Sequence, residues 1–188
     1  MCRAPGGTLH LDTAAGNHIE NSQLGELTFG DRLHAGDLRR DYPDSTVRAA
    51  PTSRYNCHGL VFASRRTGVY DSEVIRRILD DDGYVRVDAA LPGDILLYID
   101  ETGDIEHSAV VVSAPLELGV PLVVSKWGKG HETMHWANSC PYHGGLNRAE
   151  YYRLRDTEQV RCSGPRGSVH VREHAGLLVA PLQSPSRG

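Results

Sequence analysis

From Asp71 onward the spacing of apolar and polar positions changes period once, and that change predicts most of the fold. Val74, Ile75, Ile78 and Leu79 stand at i, i+1, i+4 and i+5, the stripe that one face of a helix turns to a core. Asp71 before the stripe offers an N-cap and Gly83 after it an exit. The period then shortens. Tyr84 to Val87, Ile95 to Asp100, Ile105 to Ser113, Leu122 to Trp127, Thr133 to Trp136 and Glu150 to Arg155 read as strands, with Glu101-Thr102-Gly103-Asp104 as a hairpin turn. Upstream, an apolar run beginning at Cys57 predicts a helix to about Arg66, with Leu60, Val61 and Ser64 on neighbouring turns and Gly68 past its end. Helices first and an antiparallel sheet of about five to six strands after them make an α+β domain.

Residues 1–52 are rich in Gly, Asp and Arg, with short apolar stretches such as Leu24 to Phe29, and read as an irregular leader or cover with one or two short elements. The expected domain spans 53–180, and 181–188 reads as a frayed tail. There is no internal repeat and no low-complexity tract.

Composition narrows the function classes. A chain of 188 residues, 39% hydrophobic and 23% charged, can bury one real core and has no room for two full domains. The net charge is −4, and the 20 basic residues include only two lysines, Lys126 and Lys129, with the arginines in scattered pairs. That distribution argues against nucleic acid as a partner. No apolar run has the length of a membrane span, and the first residues lack the apolar core of a secretory signal. Cysteines 2, 57, 140 and 162 show no close pairing, which suits reduced thiols. A cytoplasmic protein as synthesised is expected, with non-classical export and a protein partner both left open.

Cys57 is the residue where chemistry is expected. The unpaired N–H groups of a helix's first turn favour an anion, so a thiol there should sit below its ordinary pKa. About fifty residues on, His107 heads the β-branched run Ala109 to Val112. An imidazole can take the thiol proton if a third group holds its tautomer.

Tyr55-Asn56-Cys57-His58-Gly59-Leu60-Val61, Pro92-Gly93-Asp94-Ile95-Leu96 and Ser125-Lys126-Trp127-Gly128 together carry a family resemblance over roughly residues 50 to 155. The chain resembles the papain-like cysteine hydrolases, most closely the NlpC-type and CHAP-type amidases and peptidases. His58 stands where those enzymes have a small residue. The resemblance implies a papain-like fold and amide cleavage through a thioester, with Cys57 as nucleophile, His107 as base and then acid, and Ser125 orienting the ring in place of asparagine. Trp127 would shield the pair, and the N–H of Cys57 with a donor from Asn56, Tyr55 or Arg54 would form the oxyanion hole. Lys126 or Glu106 would take the productive face instead if the register were one residue off. The implied substrate is a peptide or peptidoglycan-type amide; hydrolysis, deamidation and acyl transfer share this machinery, and none needs a cofactor.

Two other classes fit. A non-enzymatic binding module on the same fold would keep the cleft without the reactive thiol. His131, His135, Cys140 and His143 hold the N and S atoms a zinc ion takes, but residues four apart along a strand converge poorly. His131 and His135 are expected at the cleft rim or beside acidic groups. Gly128-Lys129-Gly130 is too short for a phosphate-binding loop.

Overall fold

The computed structural model describes residues 6–114, 119–144 and 148–155. Its elements run α1 (Phe29–Asp41), β1 (Thr46–Ala49), α2 (Cys57–Phe62), α3 (Ser72–Asp81), β2 (Tyr84–Val87), β3 (Ile95–Ile99), β4 (Ile105–Ser113), β5 (Leu122–Lys126), β6 (Glu132–Trp136) and β7 (Arg148–Leu154). They form an α+β fold, all described residues lying within one unit, Met1–Arg155. The tail expected at 181–188 lies outside the described residues.

The α3 stripe does what its spacing predicts. Val74, Ile75, Ile78 and Leu79 are all buried, and the Asp71 carboxylate accepts the Glu73 N–H at the helix start. They pack with Ile95, Leu97, Ile99 and Ile105 on one face of the sheet. The other face buries Leu96, Tyr98, Ala109, Val111, Val123 and Trp127. Strand alternation alone divides these two sets along β3.

The sheet has seven antiparallel strands in the order β1-β6-β5-β4-β3-β7-β2, where five to six were expected. All six sequence-predicted strands are present, and the seventh is β1, which pairs with β6 at one edge. Thr46, Val47 and Arg48 of β1 are exposed, so no buried alternation marks it. Among residues read as an irregular cover, α1 is a full helix. Thr28 and Asp31 close a capping box at its start, while Leu38 and Tyr42 at its far end pack on the second face.

Two local features set the position of Cys57. α2 ends at Phe62 rather than near Arg66, because Ser64 and Arg65 take left-handed backbone angles, with φ of 49° and 63°. The strain is offset by ion pairing: the Arg65 guanidinium binds both carboxylate oxygens of buried Glu132, at 2.7 and 3.0 Å. Gly59 does the rest. A Cβ there would run into the Thr67 carbonyl, so only glycine lets α2 lie against the 67–69 segment.

β4 contains a bulge. Tyr98 pairs with His107 and Ile99 with Ile105, leaving Glu106 as the extra residue. Ile105 therefore joins the α3 face, whereas His107, only two residues on, turns to the Tyr98 face. No helix among the described residues is long and apolar enough to cross a membrane.

Candidate active site around Cys57

Cys57 is the first residue of α2, which packs across β4 and β5. Asn56 caps the helix: its Oδ1 accepts from the N–H of Gly59 at 2.9 Å and of Val69 at 3.2 Å, and its Nδ2 donates to the Val69 carbonyl. That amide is thus engaged in holding the turn. Tyr55 is engaged as well, its hydroxyl donating to Glu132 at 3.0 Å. Of the expected oxyanion donors, the Cys57 N–H is the one that favours charge on the sulfur, and it is joined by the N–H groups of His58 and Ser108, which were not expected.

A cleft of about 700 Å³ opens beside the thiol, lined among others by Asn56, Cys57, His58, Glu106 and Tyr142. The sulfur itself is almost covered. Burial pushes the Cys57 thiol up to about 11, against the lowering expected at a helix start, and hydrogen bonds from the N–H groups of Ser108, His58 and Cys57 and from the Ser108 hydroxyl only partly oppose it. Cys57 and Cys140 are free cysteines.

The three predicted triad members are not joined. His107 is fully buried, and neither ring nitrogen has a hydrogen-bond partner. It stacks flat on Tyr142, ring centroids 3.9 Å apart and 9° from parallel. Ser125 was expected to orient that ring; its Oγ instead lies 2.8 Å from His135 Nε2, whose Nδ1 donates to the Trp136 carbonyl. The reason is pairing: Ser125 stands opposite Thr133 on β6, which brings its hydroxyl beside His135 of the same face. Trp127 packs edge-on to Tyr42 at 5.2 Å and beside His135 at 5.4 Å, in the second core rather than over the thiol.

What faces α2 is the other parity of β4 and β5. Ser108 stands opposite Leu97, and its Oγ is 2.9 Å from His58 Nδ1. Lys126, which stands opposite Glu132, is fully buried and donates to the carbonyls of Thr52, Gly128 and Gly130 at 3.0, 2.8 and 2.7 Å. Its ammonium lies 5.4 Å from the Tyr55 ring centroid. Sequence reasoning named Glu106 and Lys126 as the alternatives to its own register, but it missed Ser108 and gave His58 no role.

The proposed zinc set does not assemble. His131 meets the Ala49 carbonyl, His135 meets Ser125, and Cys140 lies in the second core. Among the described residues no group of three or more potential ligands is placed to hold a metal. Among the described residues neither His131 nor His135 pairs with an acidic side chain.

Three buried histidines make the fold acid-labile. Burial lowers His58 to about 4 and lowers His107 and His135 as well, so all three stay neutral in the folded chain at neutral pH. Unfolded, each takes a proton near 6.5. The unfolded state therefore binds more protons between about pH 6.5 and 4, and stability falls as pH drops through that window. His58 alone accounts for about 3 kcal/mol. Urea unfolding at pH 7 and pH 4 should show a large drop in midpoint that His58→Gln reduces. Equal midpoints in the wild-type chain would refute it.

Comparisons with protein-family models, with curated proteins and with solved structures find no match.

Proposed function

We propose that this chain is a papain-like cysteine hydrolase that cleaves a peptide or peptidoglycan-type amide through a thioester on Cys57. The observation that carries the reading is the surroundings of one sulfur. A thiol at the first position of a helix lines a cleft, where backbone N–H groups of α2 and β4 favour charge on its sulfur. Such donors stabilise charge that develops on sulfur and on a substrate oxygen beside it; each can be worth about 3 kcal/mol in the barrier.

The steps follow from the thiol. Sulfur adds to the amide carbonyl, the tetrahedral adduct expels the amine with a proton supplied by an imidazole, and water then releases the acid from the thioester. One observation favours a second reading, a non-enzymatic binding cleft: burial holds the thiol at about 11, so little thiolate exists at neutral pH before a ligand arrives.

The two readings part on a trapped intermediate. Incubation with a mixed peptide and muropeptide pool, an acid quench and peptide mass spectrometry should reveal an acyl mass on the Cys57 peptide that hydroxylamine removes. Pool members that bind but emerge intact, with Cys57 unmodified, would establish the binding module instead.

A further inference from the structure

Ser108 is fully buried on the α2 side of β4, between two groups that can exchange a proton. On one side its N–H and hydroxyl are among the groups that favour the Cys57 thiolate, and α2, which Cys57 starts, packs on β4. On the other, its Oγ is 2.9 Å from His58 Nδ1. The His58 ring also donates to the Ile105 carbonyl, and with Nδ1 turned to Ser108 the path takes that donor as Nε2, which leaves Nδ1 as an acceptor. A held tautomer is what a general base needs from its third partner. His107 has no such partner and no bond to the thiol.

Building on Cys57 as the nucleophile, we infer that Ser108 and His58 form its proton path, with Ser108 as the bridging hydroxyl and His58, in place of His107, as the terminal base. As sulfur bonds to the carbonyl carbon, the S–H proton passes to Ser108 Oγ and the Ser108 hydroxyl proton passes to His58 Nδ1. Serine ends neutral and the imidazole ends as imidazolium. His58 then gives the proton up as the C–N bond breaks, and the leaving nitrogen departs as an amine. Burial opposes either charge alone, but the transfer creates both together and their attraction offsets the loss of water. The titratable groups around the path are Lys126 from β5, Glu106 and His107 from β4, and Tyr70 and Tyr142 on the cleft wall.

The test reads Cys57 directly. Iodoacetamide labelling of the whole chain from pH 6 to 9, followed on the Cys57 peptide by mass spectrometry, is run on His58→Gln, Ser108→Ala, Ser108→Thr and His107→Gln. Glutamine at 58 can still bond to Ser108 but cannot take a proton, so a merely structural role would survive it. His58→Gln and Ser108→Ala should slow labelling at pH 7 by about a hundredfold and move its profile to higher pH. Ser108→Thr, which restores the hydroxyl, should recover most of the rate, and His107→Gln should stay close to wild type. If His58→Gln fails to fold, the Ser108 pair decides alone. Loss in His107→Gln, with His58→Gln and Ser108→Ala unaffected, would overturn the path and make His107 the base. Undiminished amide cleavage by Cys57→Ala would instead remove the nucleophile reading on which the path rests.

Discussion

Cys57→Ala is expected to abolish amide turnover, by roughly four to six orders of magnitude, while the chain stays folded. The substitution removes one sulfur from a cleft wall and breaks no disulfide. The helix it starts is held by Asn56, Gly59 and Arg65 through bonds and packing that do not use the thiol, so the change in stability should be near 1 kcal/mol. Cys140→Ala makes the opposite control. That thiol is packed with Tyr98 and Trp127 in the second core, away from α2, so its loss should lower stability and leave turnover in place. Product formation from the mixed peptide and muropeptide pool, followed at matched thermal stability, measures both. Full activity in Cys57→Ala together with inhibition by a chelator would replace the thiol mechanism with a metal-dependent one.

Lys126→Met should cost about 3–5 kcal/mol of stability, seen as a fall of roughly 10 °C in Tm. Methionine fills the volume but leaves the carbonyls of Thr52, Gly128 and Gly130 without their donor in a place shut off from water. The three acceptors belong to two chain segments, one just before Cys57 and one just after β5. Releasing them loosens the entry to α2. Lys126→Arg should not rescue, because a planar fork cannot serve three carbonyls gathered around one ammonium. Thermal unfolding of the two variants decides this, and a methionine variant as stable as wild type would mean that water reaches those carbonyls.

How much of this was legible in the sequence depended on how local each signal was. The α3 stripe and its Asp71 cap are written within a dozen residues, and the structure has them as read. The six strands β2 to β7 were legible for the same reason, as runs of strand-forming residues between turn residues. β1 was not, since an edge strand whose side chains are mostly in water has no alternation to show. α1 carried a readable signal in the Thr28 and Asp31 capping box, but Phe29 and Leu33 face solvent, which hid its buried side.

The site was legible as far as Cys57 and no further. Its place at a helix start follows from Asn56 and the apolar run behind it. Which histidine and which serine meet it is set by pairings between strands. Ser125 lies beside His135 because β5 pairs with β6 in one register, and His107 turns from Ser108's side because neighbours in a strand must point apart. Neither fact is encoded in the spacing between cysteine, histidine and serine.

The extra residue at Glu106 gives β4 two parities in one strand. Below it, the odd-numbered Ile105 belongs with the helices; above it, the even-numbered Ser108 does. A residue gained or lost at this point would leave the number of strands and the length of the sheet almost unchanged, yet would exchange which side chains border the thiol. Chains that share this pattern are therefore best aligned separately on either side of position 106, since their chemistry can diverge there while their outline stays the same.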